Sequence, residues 1–326
     1  MEKAFFRILH QGKDVTPNWQ PYLVSLTITD ERGRHSDKCV LVLDDSKQNL
    51  ALIDTGSWLD VYLGYEHDLR PFGTYQCNKI DLDELAGTYT VTAQAADFKQ
   101  SLMAPNDATY GPTTLDALTR IVAERHGYIA KVHPDLINAS IPHIDQVSES
   151  DMAMLIRVAK EHDALVKPLA GHLIVKPAAI AKTLNNNDTY HLKLDRQSKS
   201  DFTCTLSIQE RQNYNSVVAH WYDETTQSRQ SVHAGNGEPI YTLSGNFGDE
   251  VAALNHAKGK LAQLGRQKAT LTLNLPGTPD LVSESSVSIK NHREGYNGDW
   301  DAESVTHQIG AENVFTTTAT ATPKEK

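Results

Sequence analysis

A chain of 326 residues, 39% hydrophobic and 22% charged, has the make-up of a folded soluble protein but is too long for one ordinary core, so two or three domains are expected. A formal net charge of −10 argues against a broad electrostatic grip on nucleic acid, since holding phosphates takes clustered lysine and arginine. Met1-Glu2-Lys3-Ala4-Phe5-Phe6 lacks the apolar run of a signal peptide, no stretch could span a membrane, and Cys39, Cys77 and Cys204, far apart and without a Cys-x-x-Cys pair, suit a reducing compartment as small apolar strand residues.

Residues 1–105 alternate in the manner of strands. Tyr22, Val24, Leu26 and Ile28 point one way and Ser25, Thr27 and Thr29 the other, followed by a turn at Asp30-Glu31-Arg32-Gly33. Cys39, Leu41 and Leu43 form the next run, closed by Asp44-Asp45-Ser46. Leu59, Val61 and Leu63 make a third, and Tyr89, Val91 and Ala93 a later one. Short strands with polar turns between them predict a sandwich or barrel.

Residues 106–184 change period. Thr113 with Asp116 has the form of a capping box ahead of an apolar stripe at Leu115, Leu118, Ile121 and Val122, and Gly127 after His126 suits a left-handed C-terminal cap. A second helix starts at Gln146-Val147-Ser148-Glu149-Ser150-Asp151, where Ser148 and Asp151 stand three apart and Met152, Leu155, Ile156 and Ala159 share a face. Ala164–Lys167 and Leu173–Lys176, joined through Gly171-His172, read as a hairpin. The expected product is a small α/β domain with two helices and a hairpin.

In residues 185–326 strand patterns return after Asn185-Asn186-Asn187-Asp188, a polar linker. One long helix interrupts them, with Asp249 near its start, Val251, Leu254, Ala257, Leu261 and Leu264 along it, and Gly265 at its end. Thr316–Thr322 forms a last strand running out into Pro323–Lys326.

The two β segments resemble each other. Val61-Tyr62-Leu63 precedes Gly73-Thr74-Tyr75, then Ile80 and Tyr89–Ala93; Val287-Ser288-Ile289 precedes Gly298-Asp299-Trp300, then Val305 and Phe315–Ala319. The aromatic follows the glycine by two residues both times, and the aliphatic residue follows the aromatic by five. The fold class expected is therefore α+β and mainly β: two similar tube-type β-barrel domains, 1–105 and 185–326, flanking the α/β domain at 106–184.

Little of this points to catalysis. Leu52-Ile53-Asp54-Thr55-Gly56-Ser57 matches the aspartic-protease turn, but that chemistry needs two aspartates sharing a proton, and no second Asp-Thr-Gly or Asp-Ser-Gly exists outside a homodimer. The plainer reading is a turn feeding the strand from Trp58. The fourteen histidines show no ligand spacing, and Glu161-His162-Asp163 at a helix end fits a dipole interaction better than a metal. Gly235-Asn236-Gly237 reads as a loop or hairpin turn, and Asn138-Ala139-Ser140, a glycosylation acceptor by pattern, carries no weight without a secretion signal. No catalytic, metal or cofactor residue is proposed, and the subunit interface is not assigned.

The order of parts resembles the phage late control D family, tail hub proteins of contractile-tailed phages related to the hub part of type VI secretion spikes. The matching stretches are Leu26–Glu31 with Ser36-Asp37, Leu43-Asp44-Asp45, Leu63-Gly64-Tyr65, Thr114-Leu115 through His126-Gly127, Gln146 with Glu149-Ser150-Asp151, and Gly298-Asp299-Trp300 with Val305-Thr306-His307. The turn at Leu52–Gly56 and Ser285-Ser286, where glycine is commoner, depart from the pattern.

The resemblance implies a structural baseplate hub: a homotrimeric ring whose six tube-like domains seat the sixfold tail tube on one side and a trimeric spike on the other. The tape-measure protein is a further candidate partner. It also implies a place in the virion tail, assembly in the bacterial host cytoplasm with a prophage as one candidate source, no membrane anchor, no cofactor, and DNA only in transit. The alternatives are the hub of a phage-derived secretion or pyocin-like device and a dimeric aspartyl hydrolase using Asp54.

Overall fold

The alternating runs do become strands, and their apolar rows meet in one large sheet. The computed structural model describes residues 3–32, 37–95, 100–141, 143–169, 171–178, 190–198, 201–208, 214–266, 269–310 and 312–324. By contact these fall into two compact units: Met1–Phe98, Thr189–Leu206 and Leu271–Ala321 in one, and Lys99–Asp188, Ser207–Thr270 and Thr322–Lys326 in the other. Among the described residues the chain is mainly β, with four α-helices.

In the first unit the sheet follows one path. It begins at Thr203–Ile208 and runs through Ala269–Pro276, Phe315–Pro323 and Gly298–Gly310 to Leu23–Glu31. It continues through Lys38–Asp44, Thr88–Ala95, Asp68–Asp83, Trp58–Tyr65 and Ala4–His10 to Lys13–Asp14. Ser286–Lys290 pairs antiparallel with Gly298–Gly310, and His191–Asp195 pairs parallel with Ser286–Lys290. Instead of two closed barrels, the described strands form one open sheet whose end strands do not pair with each other.

Two like halves lie along this path. In the first, the neighbours are Leu23–Glu31, Lys38–Asp44, Thr88–Ala95, Asp68–Asp83, Trp58–Tyr65 and Ala4–His10. In the second they are Thr203–Ile208, Ala269–Pro276, Phe315–Pro323, Gly298–Gly310, Ser286–Lys290 and His191–Asp195. Numbered along the chain, the six strands of each half stand in the same spatial order. One strand is reversed: Ala4–His10 is antiparallel to its neighbour, whereas His191–Asp195 is parallel. Between the second and third strands the first half has only a short connection, but the second half leaves the sheet at Ile208 and returns at Ala269.

The repeat seen in the sequence sits on matching positions, with one correction. Gly73 opposes Val61 and Tyr75 opposes Leu59, while Gly298 opposes Ile289 and Trp300 opposes Val287. Ile289 is thus the counterpart of Val61, not of Leu63. Gly73 and Gly298 both hold positive φ, 119° and 136°, where a side chain would be strained. Tyr75, Trp300, Tyr89 and Phe315 are all buried.

Cys39, Leu41, Leu43, Leu59, Val61, Leu63, Tyr89, Val91 and Ala93 form the first half's core with Phe6 and Ile8. Val24 does not join them: the register against Lys38–Asp44 shifts between Leu23 and Ser25, so Leu23 turns inward and Val24 stays exposed. The proposed turn residue Gly33 and the linker Asn185–Asp188 lie outside the described residues.

In the second unit both caps fall later than the sequence spacing suggests. Leu115–His126 is capped by Thr114, whose hydroxyl accepts from the Ala117 amide, and Asp151–Glu161 by Ser150, which accepts from Ala153. Ser148 instead lies in the strand Ile144–Ser150 at a register shift, with φ of 48°, and its amide donates to Asp107 Oδ1. Gly127 is the left-handed C-cap expected. Ile121 and Val251 are exposed, and Gly265 lies inside the long helix Glu250–Arg266 rather than ending it. That helix lays Ala253, Ala257 and Leu264 on a three-stranded sheet through Val217, Ala219 and Ala234. The hairpin Ala164–Leu169 and His172–Pro177 forms as expected and gains Ile129–Val132 as a parallel third strand.

Asp151 ties this unit together. Its side chain, almost wholly buried, accepts from Arg125 Nη1 at 2.7 Å, His126 Nε2 at 2.7 Å and Gln146 Nε2 at 2.8 Å. Burial works against the charged carboxyl, but these bonds and the guanidinium outweigh it and hold its pKa below the usual carboxylate range. Removing the carboxylate leaves three donors without their acceptor. Asp151→Ala is expected to destabilise the chain by about 3 kcal/mol, read as a lower denaturant midpoint in chemical unfolding.

Candidate functional site

The most extensive buried polar geometry described in the first unit is a joint between its two halves. Leu23–Glu31 of the first half pairs antiparallel with Ser304–Gly310 of the second, Ser25 opposite Gly310 through Glu31 opposite Ser304. Its polar groups continue past the ladder. The Arg32 amide donates to Glu303 O at 2.9 Å, and Arg32 Nη1, on a side chain 3% exposed, meets Glu303 Oε1 at 2.8 Å. Asp30 accepts from both the amide and the hydroxyl of Ser283 at 2.7 Å. Tyr65 donates its hydroxyl to Gly277 O at 2.8 Å, and Phe315 lies so close over Gly277 that a Cβ there would sit 2.1 Å from its ring. That contact requires glycine.

His307 is the buried polar centre of the joint. It stacks edge-on against Phe72 with ring centroids 4.8 Å apart. Its Nε2 lies 2.9 Å from Leu281 O, and a carbonyl only accepts, so Nε2 carries the proton and Nδ1 accepts from the Thr317 hydroxyl at 3.1 Å. Burial drives its pKa down to about 4, against weaker opposite pulls from Leu281 O and Asp30.

Other sequence candidates lie elsewhere. Asp54 sits on an exposed turn: its carbonyl accepts from the Ser57 amide and hydroxyl, Gly56 holds φ of 87° and donates its amide to Cys77 O, and the strand Trp58–Tyr65 follows. Among the described residues its carboxylate has no hydrogen-bond or ion-pair partner. His162 ends the Asp151–Glu161 helix and packs on His256, their rings 4.8 Å apart, with burial and then the neighbouring imidazole lowering its pKa to about 4. Asp163 pairs with Arg266. Gly235-Asn236-Gly237 is a loop leading to Ile240–Thr242, which lies parallel to Ser216–Asp223, so no hairpin forms there. Cys39 and Cys77 are buried in strands, and the Cys39 thiol is pushed up to about 12 by burial; Cys204 is half-buried, 3.4 Å from His292 Nε2. Among the described residues no three metal-ligating side chains gather, and no helix is long and apolar enough to cross a membrane. The joint was not visible in the sequence, although Val305-Thr306-His307 and Leu26–Glu31 both stood among the family-like stretches.

No family model matches the chain. It is 25% identical over 348 aligned residues to the probable baseplate hub protein of Escherichia phage 186, covering 93% of this chain and 89% of that one. For the probable baseplate hub protein of Escherichia phage P2 the figures are 24% over 345 residues, again 93% and 89%. The chain is homologous to these phage baseplate hub proteins. The resemblance to tail hub proteins read from the sequence is thereby borne out. The fold of this chain recurs in solved structures. The 43 kDa tail protein of prophage MuSo2 from Shewanella oneidensis matches with a TM-score of 0.71 at 13% identity, 98% of each chain covered. A tail protein from Neisseria meningitidis gives 0.70 at 12% identity over 98% and 96% of the two chains. The Escherichia coli c3393 protein, a type VI secretion component, gives 0.56 at 11%, covering 93% of this chain and 74% of that one.

The His307 chemistry sets a pH dependence. The unfolded imidazole takes up its proton near pH 6.5 and the folded one only near 4, so between these values the unfolded state binds more protons and stability falls as pH falls. The loss from this group is at most about 3 kcal/mol. Unfolding midpoints should drop from pH 7 to pH 4, and His307→Gln, a neutral hydrogen-bonding replacement, should flatten that drop.

Proposed function

We propose that the chain is a structural baseplate hub in which three copies close into a ring that adapts the sixfold tail tube to a threefold spike. The observation that carries this reading is the pair of like halves in a single sheet: three chains would present six similar strand arrays, and homology to phage baseplate hubs runs through nearly the whole chain. In this reading 1–105 and 185–326 are the two tube-type segments, each completing a barrel wall only in the ring. The 106–184 segment falls with the long-helix excursion after Ile208 in the second compact unit. The tail tube protein, a trimeric spike and the tape-measure protein are its partners, and the virion baseplate, assembled in the host cytoplasm, is its place.

The net charge of −10 suits a lumen that lets DNA pass without holding it. The role needs no catalytic step, and the Asp54 turn is read as structural. A likeness of fold to the type VI secretion component supports a second setting, the same part in a secretion or pyocin-like device; neighbouring genes for injection effectors, in place of capsid genes, would decide for it.

Light scattering of the purified chain should give about 108 kDa, three chains of 36.1 kDa, with ring-shaped particles in negative stain. Asp54→Asn should leave both mass and rings unchanged. A stable dimer without rings, whose hydrolytic activity is lost in Asp54→Asn, would instead favour the hydrolase.

A further inference from the structure

Each half of the sheet has one edge that gives a strand and one that receives it, and among the described residues only one such pair is joined. The giving edge of the first half is Leu23–Glu31, with Lys38–Asp44 on its inner side. The receiving stretch of the second half is Ser304–Gly310, with Phe315–Pro323 on its far side. Their counterparts can be placed by the repeat. Thr203–Ile208 corresponds to Leu23–Glu31: it has Ala269–Pro276 on one side and, among the described residues, no strand on the other. Lys79–Asp83 corresponds to Ser304–Gln308, because Ile80 follows Tyr75 by the same five residues as Val305 follows Trp300. It has Thr88–Ala95 on one side and, among the described residues, no strand on the other, since Trp58–Tyr65 pairs only as far as Gln76.

Burial follows the joint. At the made joint Val305 and His307 are buried, at 0% and 1% exposure. At the unmade one Ile80 is only partly covered, and Leu82, the counterpart of His307, is 57% exposed. A strand edge with a bare leucine is the kind of surface that proteins normally cover or protect with charge.

We propose that the free edge Thr203–Leu206 of one chain pairs antiparallel with the free stretch Lys79–Asp83 of a second copy, reproducing between chains the joint that Leu23–Glu31 and Ser304–Gly310 make within one. The partner is another copy of this chain because the internal joint already shows that these two edge types fit each other. The contact is head-to-tail: the two surfaces differ, so each chain keeps one free edge of each kind until a ring closes. This assignment rests on the trimeric ring proposed above and gives it an interface.

The test uses Leu82→Lys and Thr205→Lys, both at exposed positions, each placing a charge on one edge. Light scattering should show the wild type as a trimer and each variant as a monomer with unchanged circular dichroism. An equimolar mixture of the two variants should form a dimer and go no further, because each retains the edge the other has lost. In the wild-type trimer the amides of 79–83 and 203–206 should exchange slowly, and in either variant fast. A variant that stays trimeric while these amides exchange freely removes this joint and leaves the ring reading standing. Two monomeric variants that do not dimerise on mixing exclude the head-to-tail pairing. A wild-type chain that stays monomeric to millimolar concentration removes the ring, and the joint with it.

Discussion

The ladder between Leu23–Glu31 and Ser304–Gly310 is the constraint on which the rest of the sheet depends. Backbone amides and carbonyls at a buried strand edge must be paired, and here segments nearly three hundred residues apart in sequence satisfy one another. Without that ladder the first unit would be two separate sheets with raw edges. With it, the positions of Trp300, Tyr75 and their neighbouring glycines become equivalent points of one surface.

Polar side chains at the joint matter more for register than for net stability. Buried charges repay their desolvation only when well paired, and Arg32 with Glu303 and Asp30 with Ser283 meet that condition at a single alignment of the strands. A slip by one residue would turn Ile28 and Ile309 outward and leave these groups without partners. His307, held neutral between Leu281 O and the Thr317 hydroxyl, adds a third fixed point. Asp151 serves the second unit in the same way, bringing the two helix ends and the Ile144–Ser150 strand to one buried carboxylate.

Much of this was legible in the sequence where the signal is local. Strict alternation placed Cys39, Leu41 and Leu43 correctly, and a glycine followed by an aromatic marked both halves. The misreadings came from features that spacing cannot carry. A bulge reversed Val24; Thr114 and Ser150 won the capping roles because each presents its hydroxyl to an amide that Thr113 and Ser148 do not reach; Ile121 lies on the flank of its helix rather than on the buried face. The joint itself was not legible, because an edge strand and an interior strand carry the same alternation and only the pairing tells them apart. Asp54 shows the reverse: a sharp local motif whose surroundings are those of an ordinary turn.

The departure of the chain from the sheet between Ile208 and Ala269 has a consequence for dosage. A ring built from six identical subunits must display any appendage six times, or not at all. Two fused, unequal copies escape that rule, for the first turns straight back where the second carries an entire helix and a three-stranded sheet. In a ring of three such chains every such addition would appear three times, so a trimer would decorate alternate positions of a sixfold wall while keeping the wall itself nearly uniform.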